Sequence, residues 1–186
     1  MTEQAMRKSG GGNGWRAMRW GAAAALLCVP AVAMQFTREV NWGPEDFIVM
    51  GGIFALALGA YEVLAMKAGN AAYKLASALA ILGGFLLVWI NLAVGIIGDE
   101  GNPANAMYLG VLAILIGGAV IVKARASGMA KTLFAASGAQ VLIGAIAVLG
   151  HMGTDGPIWP RDVIGVTVIL GGVWLLSGAL FRHSAR

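Results

Sequence analysis

Three polar side chains lie inside long apolar stretches of this sequence, where an ionisable or amide group is costly and is therefore a functional candidate. Glu62 is the carboxylate of this set, and the amides Asn91 and Gln140 lie deeper in their stretches. If all three line one cavity, they predict a pathway for a small polar solute or a cation. The simpler interpretation is that Glu62 pairs with Lys67 or Lys74 and that each amide bonds a neighbouring helix.

The most distinctive polar segment is 98–108, which reads GDEGNPANAMY. Its oxygen-bearing side chains, Asp99, Glu100, Asn102 and Asn105, are of the type that calcium or magnesium binds. They are candidate outer-loop cation contacts. Their spacing does not match a calcium-binding loop, and Asn-Pro flanked by glycines is typical of a tight turn. The turn is the favoured interpretation and cation contact is the alternative.

Sequence signatures of catalytic and cofactor sites are missing. There is no phosphate-binding glycine loop, no Gly-x-Ser-x-Gly, no cysteine pair and no histidine pair at metal spacing. His151 and His183 fall on opposite sides of the predicted membrane, and Cys28 is the only cysteine. His151 with Asp155 is at most a weak metal contact. We expect no catalytic residues, no resident metal, no cofactor and no nucleic-acid partner.

The elements that carry these side chains are predicted to be membrane-spanning helices. The chain is 59% hydrophobic and 12% charged, against about 45–50% and about 25% in soluble domains. A helix needs about 20 mostly apolar residues to cross a bilayer, and six stretches qualify. The predicted class is an all-α membrane protein, a six-transmembrane-helix bundle over 20–181, between a basic segment 1–19 and a tail 182–186. The six stretches are Trp20–Phe36, Phe47–Met66, Leu75–Ile97, Ala106–Val122, Thr132–Leu149 and Val163–Phe181.

The basic residues predict the orientation of these spans. Of 13 Lys and Arg residues, only Arg38 and Arg161 fall on one predicted side. Because cytoplasmic loops carry excess Lys and Arg, both termini are predicted to be cytoplasmic in a bacterial inner membrane. Tyr108 and Tyr73 are predicted to mark the outer and inner interfaces. The basic residues of the cytoplasmic side are Arg7, Lys8, Arg16, Arg19, Lys67, Lys74, Lys123, Arg125, Lys131, Arg182 and Arg186.

Several features recur along the chain. A proline-bearing loop precedes each even-numbered span, at Pro44, Pro103 and Pro160. A basic residue precedes each odd one. This recurrence predicts three repeated αα-hairpins. The alternative is that three hairpins resemble one another because all obey the same bilayer rules. The Gly-Gly pairs of the even spans are Gly51–Gly52, Gly117–Gly118 and Gly171–Gly172.

Small residues at four-residue spacing predict close helix packing, because helices in lipid associate through tight backbone approach. One such stripe lies on the second span and another on the third. The two stripes are Gly51, Ala55 and Gly59, and Ala76, Ala80 and Gly84.

The N-terminal region has a second interpretation, that of a secretory signal. Basic residues are followed by an apolar run from Gly21 to Val29 and by Ala31-Val32-Ala33, the pattern of a cleavage site. Cleavage there leaves five helices with unchanged topology.

The segment Trp89-Ile90-Asn91-Leu92-Ala93-Val94-Gly95, together with 98–108, resembles a group of small uncharacterised bacterial multi-pass inner-membrane proteins. The resemblance covers the third and fourth spans best. It implies a membrane location and leaves the activity open.

Three functions remain in order of preference. The first is a non-enzymatic accessory or interaction subunit that docks on a larger membrane complex or on copies of itself. The alternative is a small cation or polar-solute transporter or channel that uses Glu62, Asn91 and Gln140. An intramembrane enzyme ranks last, because it needs at least two converging ionisable groups and the spans supply one.

Overall fold

The computed structural model describes residues 3–156 and 158–186, with side chains described from residue 14 onward. These ranges contain six α-helices and a short 3-10 helix and no β-strand, which confirms the predicted all-α class. Much of the predicted basic segment 1–19 lies outside the described side chains. The helices are α1 (Glu3–Ala33), α2 (Pro44–Met66), α3 (Ala71–Ala93), the 3-10 helix (Pro103–Met107), α4 (Tyr108–Ile121), α5 (Ala126–Leu149) and α6 (Arg161–Ser184).

Five helical segments of the described ranges are long and apolar enough to cross a membrane. They are α2, α3, the 3-10 helix joined to α4, α5 and α6. The first helix is not among them, although α1 continues through Pro30 to Ala33 as one helix. Five of the six predicted spans are therefore supported by length and composition.

The chain divides into two compact units, Met1–Gly59 and Ala60–Arg186. In the first unit, a Leu27 methyl group of α1 lies 3.5 Å from the Cβ position of Gly51 in α2. The first turn of α2 is capped by Asp46, whose Oδ2 accepts a 2.9 Å hydrogen bond from the Gly43 amide. Pro44 is the first residue of α2, a position where the missing amide hydrogen needs no partner.

In the second unit, α5 packs against both α4 and α6, and α6 also packs against α3. Its core is formed by bulky apolar side chains. The six-membered ring of Trp174 in α6 lies directly over Gly83 of α3, where any Cβ would be 2.6 Å from the ring. The fully buried apolar side chains of this core include Leu87, Val111, Leu133, Leu170, Trp174 and Phe181.

Of the predicted small-residue seam on α3, Ala76 packs inside the protein, whereas Gly84 has no contact at its Cβ position within the described residues and stays a prediction. Ala76 is fully buried, whereas the Cβ position of Gly84 has open space around it. Gly83 occupies the contact instead, because the Trp174 ring requires a residue without a side chain there. The Ser177 hydroxyl of α6 also donates a hydrogen bond of 2.7 Å to the Ala76 oxygen of α3.

Helix boundaries differ from the predicted spans for two physical reasons. The helices begin before the apolar runs, since a capped polar first turn is still helical; Asn70, for example, caps α3 by accepting a 2.9 Å hydrogen bond from the Tyr73 amide. At its other end α3 stops at Ala93 rather than Ile97. Gly95 there has a φ of +71°, a left-handed conformation that glycine adopts freely.

Candidate functional site

Gln140 is the most buried of the predicted site residues. It lies in the middle of α5 with no exposed surface, and neither its amide nitrogen nor its amide oxygen has a hydrogen-bond partner in the described part of the chain. One turn earlier, the Ser137 hydroxyl donates a 3.0 Å hydrogen bond to the Gly171 oxygen of α6. The Ser137 hydroxyl therefore has a hydrogen-bond partner, whereas both polar atoms of the Gln140 side chain have none in the described part of the chain. Each such unpaired buried group costs about 1–3 kcal/mol.

Two more buried hydroxyl groups, those of Tyr108 in α4 and Thr167 in α6, lie nearer one end of the second unit. Tyr108, the first residue of α4, is fully buried, and its predicted position at the outer interface stays a prediction. Its hydroxyl faces the Thr167 hydroxyl of α6, yet the two oxygens do not reach hydrogen-bond geometry. Thr167 fits there because its neighbour on α5 is Gly144, where a Cβ would collide with the Thr167 side chain.

Trp174 of α6 and Asn91 of α3 complete a set of partly unsatisfied polar groups on α3, α4, α5 and α6. The Trp174 indole nitrogen and the Asn91 Oδ1 are buried without a described partner. At a rise of about 1.5 Å per residue, the set extends from the end of α3 to the middle of α5 and α6. We call Asn91, Tyr108, Gln140, Thr167 and Trp174 the interior polar set.

The three side chains predicted to share one cavity do not surround one point. Asn91 is in the last turn of α3, and its amide nitrogen donates a 2.9 Å hydrogen bond to the Leu87 oxygen of its own helix. Glu62 is half-buried and lies about one turn before the end of α2, next to the loop from which α3 begins. Glu62 and Asn91 each lie near the C-terminal end of their helix, so that most of α3 separates them along the chain, and Gln140 lies near the middle of α5.

The outer-loop candidate Asn105 is engaged in folding the loop. Its Oδ1 accepts hydrogen bonds from the amides of Ile96 (2.9 Å) and Ile97 (2.8 Å), and its Nδ2 donates to the Asp99 oxygen at 2.7 Å. Both lone pairs of the side-chain oxygen are therefore used. The predicted cation contact loses Asn105 as a ligand, because its oxygen holds the backbone instead.

The remaining loop candidates are arranged around a turn. Asn102 Oδ1 accepts a 2.9 Å hydrogen bond from the Ala104 amide and so caps the 3-10 helix. Asp99 and Glu100 are exposed. Among the described residues, no group of three or more His, Cys, Asp or Glu side chains is placed to hold a metal ion. Cation contact by Asp99, Glu100 and Asn102 stays a prediction.

Two loops meet at this end of the second unit. Gly98 and Gly153, with φ of +76° and +81°, approach so closely that a Cβ on Gly153 would be 2.9 Å from the Ile97 carbonyl carbon. The α5–α6 loop is further held by the Trp159 indole, which donates a 3.0 Å hydrogen bond to the Met152 oxygen. Glycine at these two positions fixes the packing of the two loops.

Sequence reasoning missed Tyr108, Thr167 and Trp174 as members of the interior polar set. Tyr108 lies at the start of its predicted span, where tyrosine is common at the membrane interface, and Trp174, in the middle of α6, was not singled out. The available signal was the small residue opposite each of them on a neighbouring helix, such as Gly144 opposite Thr167 and Gly83 opposite Trp174. Such pairings cannot be read before the helix register is known.

Fold and composition together define the class, a helical membrane protein whose described residues include five helical segments of spanning length. Comparison with protein-family models, with curated proteins and with solved structures finds no match to this chain.

Proposed function

We propose that this chain is a six-span protein of a bacterial inner membrane, with both termini in the cytoplasm. The charge distribution supports the orientation, because 11 of the 13 basic residues fall on one predicted side and only Arg38 and Arg161 on the other. The sixth span is α1, whose apolar half extends from Gly21 to Ala33.

Its proposed role is that of a non-enzymatic accessory subunit that docks on a partner helix in the membrane. The observation that carries this proposal is the outer face of α4. Gly110 and Gly117 lie on that face, and nothing is within 4 Å of the Cβ position of either. Leu109, Ile116 and Val120 beside them are 64%, 65% and 70% exposed.

Gly118, next to Gly117, shows how a glycine of α4 is used when another helix packs against it. At Gly118 a Cβ would collide with the Thr132 side chain of α5, so that glycine permits close packing inside the protein. Glycine in a helix costs about 1 kcal/mol relative to alanine. Gly110 and Gly117 lower the stability of α4 in this way but contact no other helix in the described part of the chain. In lipid, such glycines allow a second helix to approach closely.

Site-specific photocrosslinking in native membranes tests this role. A photoreactive amino acid at Ile116 of α4, which is 65% exposed, is compared with the same residue at Leu75 of α3, which is 54% exposed and has no glycine within four residues. We expect a discrete protein adduct from Ile116 and lipid adducts alone from Leu75. Equal labelling from the two positions contradicts a docking face on α4.

A second candidate function, a small cation or polar-solute transporter or channel, is favoured by the unpartnered amide of Gln140. A solute that passes through the second unit would find hydrogen-bonding groups along the interior polar set. The test is flux of potassium ions and of glycerol into liposomes that contain the wild-type protein or the Gln140→Leu variant. Flux in the wild type that falls severalfold in the variant supports transport, and equal flux in both opposes a role of Gln140.

A further inference from the structure

A basic pocket opens at the end of the second unit where α3 and α5 begin. It has a volume of about 340 Å³ and lies between the α2–α3 loop, the α4–α5 turn and the end of α6. Among the described residues, no carboxylate lines it. The polar side chains that line it are Lys67, Asn70, Tyr73, Lys123, Arg125 and Ser184.

Hydrogen bonds between distant segments build the walls of this pocket. The Tyr73 hydroxyl donates a 2.6 Å hydrogen bond to the Ala124 oxygen, and the Lys67 ammonium group donates one of 3.3 Å to the Lys123 oxygen. The Asn70 amide donates a 3.1 Å hydrogen bond to the Ser184 oxygen of the α6 terminus. The pocket is therefore formed by tertiary structure rather than by one flexible loop.

The turn that carries two of the lining residues is conformationally strained. Lys123 and Ala124 have φ of 53° and 56°, in the left-handed region that costs residues with a Cβ about 1–2 kcal/mol each. Tyr73 and Lys67 hold this turn through their hydrogen bonds to its carbonyl groups. Strain of this kind persists where the surroundings fix it, commonly at binding sites.

The electrostatics of the pocket favour an anion. Lys67, Lys123 and Arg125 bring three positive charges to its walls. An adjoining pocket of about 270 Å³ shares Lys123 and Arg125 and extends to Ser127 and Gly128 in the first turn of α5. The N-terminus of α5 has no side-chain cap. Its first backbone amides can therefore donate hydrogen bonds to an anion, which the positive end of the helix dipole also attracts.

We propose that this pocket binds a phosphate group. Arginine recognises phosphate with two parallel hydrogen bonds, and lysine neutralises its charge. The pocket lies at the ends of apolar spans, the depth at which the phosphate of an anionic lipid headgroup is found. A soluble phosphate offers the same chemistry, and the experiment separates the two sources.

The test uses the full-length protein in a nonionic detergent, depleted of lipid and titrated with phosphatidylglycerol or diacylglycerol in native mass spectrometry. Wild-type protein retains phosphatidylglycerol and not diacylglycerol. Arg125→Gln weakens this binding about fivefold, and Lys67→Gln with Arg125→Gln weakens it roughly tenfold or more. Arg125 is exposed, so its single substitution leaves the fold intact, which the melting temperature verifies.

Lys131→Gln is the matched control, because Lys131 is exposed near the same end of α5 and lines neither pocket. An equal loss of phosphatidylglycerol in this control overturns the proposal, and so does equal retention of diacylglycerol by the wild type. Excess inorganic phosphate that binds the wild type and displaces the lipid assigns the site to a soluble phosphate. Phosphatidylglycerol that is retained against inorganic phosphate assigns it to a lipid headgroup.

Discussion

The Ser177 hydroxyl of α6 donates a 2.7 Å hydrogen bond to the backbone oxygen of Ala76 in α3. Both residues are fully buried, and 101 positions of sequence separate them. A short hydroxyl side chain against alanine lets the two helix backbones approach closely, the packing mode that stabilises helices in lipid. One turn earlier in α6, the Trp174 ring covers Gly83 of α3.

Removal of this hydroxyl is expected to destabilise the second unit. Interhelical hydrogen bonds of this type contribute about 0.6 kcal/mol on average and about 1.7 kcal/mol at most, so Ser177→Ala lowers the free energy of unfolding by that amount. Thermal unfolding in detergent measures the effect. Thr154→Ala, in an exposed loop, is the control and leaves the melting temperature unchanged.

The adjacent glycines of α4 are expected to respond oppositely to the same substitution. Gly118→Ala forces a methyl group into the Thr132 side chain and costs about 1–3 kcal/mol. Gly117→Ala meets open space and raises the helix propensity, which stabilises the isolated protein by up to about 1 kcal/mol. Equal effects at the two positions in a thermal-shift assay contradict the observed packing of α4.

Asn105 is expected to be essential for the α3–α4 loop. Asn105→Ala leaves the Ile96 and Ile97 amides without their acceptor, at about 1–3 kcal/mol for each buried amide. Hydrogen exchange of these two amides accelerates in the variant. Asn105→Asp keeps the acceptor oxygen and is expected to lose less protection, while Glu100→Ala, at an exposed position, leaves exchange unchanged.

Gln140→Leu is expected to stabilise the protein. The leucine side chain has a similar size and removes two buried polar groups that have no described partner, each of which costs about 1–3 kcal/mol. The melting temperature of the variant therefore rises. Gln35→Leu, at an exposed position, changes it little, and a lower melting temperature for Gln140→Leu shows that the amide is satisfied in the native membrane.

The sequence predicted elements whose signals are local. The prolines noted before the even-numbered spans stand at the starts of α2 and α6, since helix start signals act within one turn. The end of α3 was placed four residues too late, because Ile96 and Ile97 extend the apolar run but fold back as buried loop residues. Besides the left-handed Gly95, the side chain of Asn105, nine positions away from Ile96, holds the chain in that loop.

The candidate site was less predictable than the fold. Gln140 was identified because an amide in an apolar span is conspicuous. Tyr108 was assigned to the interface, where aromatic residues are common, and Trp174 was not singled out because a large apolar ring is ordinary in an apolar helix. The pocket around Lys67 and Arg125 was also missed. Its residues come from segments more than 50 positions apart, and their charges had served only to orient the spans.

The most direct test of the accessory role is purification of the C-terminally tagged protein from native membranes in nanodiscs, followed by intact-mass spectrometry. The account predicts a partner at fixed stoichiometry that the wild type retains and that Gly117→Leu loses, while Gly138→Leu, at another glycine with open space around its Cβ position, retains it. The mass of the chain itself also shows whether cleavage after Ala33 occurs. Recovery of the wild-type chain alone, with no partner and no second copy, contradicts the account.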